Sequence, residues 1–221
     1  MLSAESGYGD RFFYLLLDDT DIVTGRHLTK IPKAVEEVCQ SLDHTPSAVM
    51  ICITCVDALL GTDMDRVCRK SSDRAGVPVV PCYMYALTRE KRLPPMASVR
   101  KSVYSLLKPR KRKSDEVNIL GYFSPLQDDC ELYSLLKSAG VKTIRELSRC
   151  DTFEEYEKMS QANFSLVLNA EARYAAQQME QELNIPFIEL ARVFQADKIS
   201  TQYRLCLLYT SPSPRDGATS R

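Results

Sequence analysis

The chain has 221 residues, with 29 Lys and Arg balanced by 29 Asp and Glu, so no net field draws it to nucleic acid or to an anionic membrane surface. A globular chain of this length buries about 70% of the surface its unfolded form exposes and needs no disulfide staples. Its eight cysteines are too sparse and irregular for a disulfide scaffold, no apolar run nears the roughly 18 residues of a membrane helix, and the N-terminus lacks a secretory signal pattern, so the expectation is a cytoplasmic chain with reduced thiols.

The opening MLSAESGYGD leads directly into FFYLLLDDTDIVTG, as if Met1 were an internal methionine of a longer reading frame. Residues 28–41, with Leu42 just after them, place Ile31, Val35, Val38 and Leu42 at helical spacing, with Glu36 and Glu37 on the other face. After the turn HTPS, the run AVMICI at 48–53 reads as a strand covered on both faces. Residues 56–75 read as one or more helices, closed by Gly76 as C-cap, and VPVVPCYMY at 77–85 returns as a second strand. Strand, helix, strand predicts two parallel strands.

A polar loop, TREKRLPP at 88–95, precedes an amphipathic helix over 96–108 and the basic connector PRKRKSD at 109–115. The connector fits a solvated loop, an anion patch or a nuclear address. VNILGYF at 117–123 is the next strand. A helix over 128–140 follows, with Asp128 and Asp129 in its first turn and Gly140 at its end. VKTIREL is a further strand, and a helix over 152–162 opens on a capping box of Thr152 and Glu155. FSLVL at 164–168, a helix over 169–184 with Ala172, Ala176, Met179 and Leu183 on one face, and the strand IPFIEL complete the pattern.

Such alternation predicts an α/β fold: tandem Rossmann-like units with mostly parallel sheets, incomplete at both ends. The first unit is expected over 1–115 and the second over 116–205. Residues 206–221, CLLYTSPSPRDGATSR, resemble the in-frame translation of a transposase-type sequencing-library adaptor. They are expected to be an artefactual tail outside the fold, with the natural chain continuing past Leu205. Ligands in such sheets sit at the carboxyl ends of strands. Here those ends are the loops at Cys55, at 82–92, at Ser124 and Pro125, and at Asn169.

No G-x-G-x-x-G, Walker P-loop, G-x-S-x-G or H-E-x-x-H occurs, so direct binding of a dinucleotide or ATP has no support. His27 and His44 are the only histidines, which argues against a histidine-rich metal site. The acidic pairs Asp18-Asp19, Asp128-Asp129 and Glu154-Glu155 read as turn or helix-start residues, and Cys39, Cys68, Cys130 and Cys150 as compact hydrophobes. There remains the C-x-x-C of Cys52 and Cys55, at the end of the first strand. A thioredoxin-type pair starts a helix with its first cysteine, whereas Cys52 lies within the strand. Structural zinc wants a second C-x-x-C or a histidine pair. A lone strand-end thiolate can also serve as one ligand of an iron–sulfur cluster shared with another chain.

CVDALLGTD at 55–63 resembles a segment of nitrogenase component 1 subunits, in which a strand-end cysteine precedes an L-[IL]-G-[DT]-D turn. DTDIVTGRHLTKIPKAVEEV at 19–38, GVPVVPCYMY, and 164–190 match further family segments in order and spacing. The family includes nitrogenases, cofactor scaffolds, dark-operative tetrapyrrole reductases and uncharacterised relatives. The resemblance implies an oxidoreductase subunit of alpha or beta type in which Cys55 binds an interfacial iron–sulfur cluster, shared with a homologous component 1 subunit. It further implies electrons delivered by an ATP-hydrolysing iron protein to a substrate the motifs do not specify. Thr54 and the amides after Cys55 would donate hydrogen bonds to the cluster's sulfurs. The family's other ligands from the same subunit lie upstream of the stretch matching Asp19. Asn169 stands where catalytic molybdenum nitrogenase alpha subunits carry a cofactor-holding cysteine, which argues against dinitrogen reduction. The competing expectation is a Rossmann-like binding or cofactor-assembly scaffold module without a cluster of its own, in which Cys55 only packs.

Overall fold

The computed structural model describes residues 9–53, 55–84, 93–190 and 196–210. The chain forms two compact units, Met1–Leu87 and Thr88–Arg221.

In the first unit, a short helix α1 (Asp19–Val23) precedes α2 (His27–Ser41), strand β1 (Val49–Ile53), α3 (Cys55–Leu60), α4 (Met64–Ala75) and strand β2 (Val79–Tyr83). β1 and β2 pair in parallel, from Val49 opposite Val79 to Ile53 opposite Tyr83. The crossover is set locally. Asp63 caps α4 by accepting from the Arg66 amide at 2.9 Å, and Gly76 ends it at φ 70°.

Helices α2 and α4 pack on one face of this sheet. Ile31, Ile53, Met64 and Val67 form one cluster; Val35, Cys68, Val77 and Val79 form another, with Val49 and Ile51 against them. Here β1 departs from the expectation of burial on both faces. Met50 is 36% exposed and Cys52 is exposed as well. Successive side chains of a strand point to opposite faces, so one helical layer buries only every second residue. An unbroken apolar run does not reveal that.

The second unit begins with α5 (Pro95–Tyr104). It continues through β3 (Glu116–Leu120), α6 (Glu131–Ser138), β4 (Thr143–Glu146), α7 (Phe153–Glu157), β5 (Phe164–Val167), α8 (Arg173–Leu183), β6 (Phe187–Glu189) and α9 (Ala196–Thr210). The sheet order is β4-β3-β5-β6, and every pairing is parallel. Central strands β3 and β5 are buried along their whole length. Leu120 and Val167 join Tyr104, Tyr156, Ala176 and Met179 on one side. Val117, Ile119, Phe164 and Leu166 join Leu132 and Leu136 on the other. Helices thus cover both faces, as a parallel sheet requires.

Three details differ from expectation. Helix α5 packs with the second unit rather than the first, because Tyr104 and Leu107 fill the cluster around Leu120 and Tyr156. The helix after Pro125 starts at Glu131, so Asp128 precedes it and pairs with Arg149 at 2.7 Å. The expected break at residue 206 is crossed by α9, whose Cys206 is 4% exposed and packs with Val117 and Leu132. Cys206 follows Tyr203 by three residues on one helix face, and a cysteine there behaves as a compact hydrophobe. Residues 211–221 lie outside the described residues.

Candidate functional site

Cys55 opens α3 two residues after the end of β1, and it is exposed. The chain then turns sharply. Gly61 adopts φ 66°, the Thr62 amide donates to the Asp57 carbonyl at 3.1 Å, and Asp63 starts α4. Positive φ is what glycine supplies without steric cost, which is why the L-L-G-T-D turn needs Gly61.

This turn is tied to the start of the unit by His27, for which no sequence motif signals a role. Nδ1 of the buried His27 lies 3.2 Å from the carbonyl oxygen of Asp21, and Nε2 lies 3.5 Å from the Thr62 hydroxyl. A carbonyl only accepts, so Nδ1 carries the proton and Nε2 accepts from Thr62. Asp21 is itself 2% exposed and ion-paired with Lys30. The Lys30 hydrogen bond holds its carboxyl below the ordinary aspartate range. Asp18 and Asp21 complete a reciprocal capping box at the start of α1. The segments DTDIVTG and LLGTD therefore meet through one imidazole. The available signal was a histidine between the two motifs in a histidine-poor chain.

The two cysteines of the C-x-x-C have separate surroundings. Cys52 stands on β1 beside Cys82, its register partner on β2, and that neighbouring thiol lowers the Cys52 pKa. Cys55 lies beyond the strand, at the head of a helix. No group of three or more His, Cys, Asp or Glu side chains that could hold a metal occurs among the described residues. Among the described residues Cys55 is therefore not part of such a group. Thr54 and most of the loop expected after β2 fall outside the described residues.

At the second unit's carboxyl edge the chain order reverses between β3 and β5. Asn169 lies there, its side chain accepting from the Glu171 amide at 3.0 Å and capping the 3-10 turn Ala170–Ala172. Beside it, the buried Arg100 donates to the Gly121 carbonyl at 2.9 Å, pairs with Glu171 at 2.8 Å and stacks 4.7 Å from the Phe123 ring centre. The acidic pairs do act in turns and caps: Asp18 caps α1, and Glu154 pairs with Lys158 at 2.9 Å. Glu155, by contrast, reaches the Asp151 amide at 2.9 Å rather than that of its cap residue. In the basic connector, Arg110 pairs with Glu157 at 2.7 Å and Lys113 with Glu116 at 2.8 Å.

A family model described as nitrogenase component 1 type oxidoreductase matches residues 3–205. The chain belongs to the nitrogenase component 1 type oxidoreductase family. The nitrogenase iron-molybdenum cofactor biosynthesis protein NifE of Nostoc sp. is 26% identical over 177 residues, 78% of this chain and 36% of that protein. NifE of Rhizobium meliloti is 28% identical over 173 residues, again 36% of its length. The nitrogenase molybdenum-iron protein alpha chain of Methanosarcina barkeri is 28% identical over 197 residues, 85% of this chain and 36% of that one. This component 1 chain thus spans little more than a third of those relatives. Among solved structures, "Nitrogenase Cp1 at pH 5" superposes with a TM-score of 0.60 at 20% identity, covering 87% of this chain and 42% of that one. That likeness shows the component 1 fold, an α/β arrangement of parallel sheets. Among the described residues, no helix is long and apolar enough to cross a membrane.

Proposed function

We propose that this chain is part of a nitrogenase-like component 1 subunit in which the Cys55 thiolate is one ligand of an iron–sulfur cluster shared with a homologous subunit. The observation carrying this reading is an exposed thiol at the carboxyl end of a parallel strand, where α/β sheets present their ligand sites. When bound, the cluster supplies one-electron transfer, here from an ATP-hydrolysing iron protein to an unidentified substrate. The chain's part is positional. Gly61, Asp63 and the His27–Thr62 contact hold the turn behind Cys55.

The second reading, a cofactor-assembly scaffold, is favoured by Asn169 and by the cofactor biosynthesis proteins among the relatives. The Asn169 amide oxygen is occupied in a cap, and an amide is a poor ligand for iron beside a thiolate. A scaffold would bind its metal cluster as cargo and release it without substrate turnover.

The test is anaerobic production of the full-length gene product with a homologous component 1 subunit, followed by iron and sulfide analysis and visible spectroscopy. Wild type should show broad cluster absorption, and Cys55→Ala should lose or strongly alter it while leaving the far-UV dichroism unchanged. Wild-type absorption in Cys55→Ala would remove Cys55 as ligand. Cluster loading with no reduction by an iron protein and ATP, but with transfer to an apo-acceptor, would select the scaffold reading.

A further inference from the structure

Cys52 and Cys82 are register partners on adjacent parallel strands. Neighbouring strands lie about 4.8 Å apart, inside the roughly 4.4–6.8 Å between Cα atoms that a disulfide spans. Register partners project to the same face, so the two side chains stand side by side across the strand pair. Their exposure differs. Cys52 is exposed, whereas Cys82 is 3% exposed. Thiol–disulfide exchange benefits from such a division, because the attacking sulfur must be reachable from solvent. The second sulfur must be shielded from outside disulfides yet within reach of the first.

We propose that Cys52 and Cys82 form a reversible dithiol–disulfide couple that exchanges with low-molecular-weight disulfides of the glutathione type, Cys52 attacking and Cys82 resolving. The Cys52 thiolate attacks one sulfur of the small disulfide. That S–S bond breaks, a mixed disulfide forms on Cys52, and the departing thiolate takes a proton from water. Cys82 then loses its proton to solvent and its sulfur attacks Cys52, forming the Cys52–Cys82 bond and expelling the second small thiolate, which is protonated in turn. Two protein thiols are oxidised by two electrons, and one small disulfide is reduced to two thiols. Hydrogen bonding from Cys82 lowers the Cys52 pKa to about 6, which keeps the attacking sulfur ionised near neutral pH. Cys55 is outside the couple. The couple therefore operates beside the proposed cluster ligand without consuming it.

The test takes the 221-residue chain through glutathione redox buffers, with acid quenching, alkylation under denaturing conditions and peptide mapping. Wild type should lose two alkylatable thiols, at Cys52 and Cys82, yield that cross-linked peptide pair and recover both thiols with dithiothreitol. Cys55→Ser should still yield the Cys52–Cys82 cross-linked peptide pair. Cys82→Ser should trap glutathione on Cys52, and Cys52→Ser should take up none at Cys82. A Cys52–Cys55 cross-link, or both thiols still alkylated in fully oxidising buffer, would overturn the couple. The wild-type map decides the matter even if a variant fails to fold.

Discussion

Arg100 donates from Nε to the carbonyl oxygen of Gly121 at 2.9 Å, joining helix α5 to the carboxyl end of the central strand β3. The same guanidinium donates to the Met96 carbonyl at 3.1 Å and pairs with Glu171 at 2.8 Å, with only 5% of the residue exposed. Arg100→Met should strand a buried carbonyl and cost about 2–3 kcal/mol in urea unfolding. Arg100→Lys should recover less than half of that, because a single ammonium cannot replace a planar fork serving three acceptors. Full recovery by lysine would show that charge alone matters.

Gly121 itself has φ 146°, a backbone region open essentially only to glycine. A Cβ there would stand 2.9 Å from the Asn169 backbone nitrogen and 3.1 Å from its Cβ. Gly121→Ala should therefore destabilise the second unit by about 2 kcal/mol or more and disturb the Asn169 cap. Chemical denaturation and hydrogen exchange at the Glu171 amide would measure both effects. Unchanged protection at Glu171 would mean that the close approach is not maintained in solution.

Alkylation kinetics test the Cys52 environment. The thiolate is the reactive form, so the iodoacetamide rate at Cys52 should rise with pH and reach half its plateau at about pH 6. The neighbouring Cys52 thiolate, and then burial, raise the Cys82 pKa, so Cys82 should stay unreactive toward iodoacetamide while Cys52 is a free thiolate. Cys82→Ala removes the donor and should move the Cys52 midpoint up toward an ordinary cysteine. A Cys52 midpoint indifferent to that substitution would contradict the hydrogen bond.

Arg173 grips Glu189 through two contacts of 2.6 and 2.7 Å, and it holds the Glu189 carboxyl below the ordinary glutamate range. The folded pKa lies below the unfolded one. The pair's contribution is therefore fully present above the unfolded value of about 4.3 and disappears as pH falls through the lower folded value. Arg173→Met should lower stability slightly at pH 7, as expected of a solvent-screened pair, and leave it unchanged at pH 2. An equal loss at both pH values would assign the effect to packing.

Much of the fold was legible because its signals are local. Helical spacing marked Val35 on α2, and Ala172, Ala176, Met179 and Leu183 around α8, and all of them are buried. Gly76 marked the end of α4, and apolar runs marked β1, β2, β3 and β5. Cys55 was singled out by its place just beyond a strand, and the structure puts it there. The His27 bridge was not legible, because it spans 35 residues to Thr62. Nor was the exposure of Met50 and Cys52, which depends on how many helices cover a sheet rather than on how apolar the strand is.

The sequence by itself determined the order of strands and helices, their parallel pairing and the family. The first two follow from short-range periodicity, cap and turn chemistry, and the handedness of crossovers; the family follows from the resemblance of CVDALLGTD and the segments around it. Only the tertiary structure decided the partner of Cys52. In the sequence its nearest thiol is Cys55, three residues away; in the fold it is Cys82, brought alongside by strand register. A strand's backbone carries successive residues apart by about 3.3 Å each, while its neighbour lies about 4.8 Å to the side. Sulfurs far apart in sequence therefore meet across β1 and β2, and the nearby one at the head of α3 is left to face solvent.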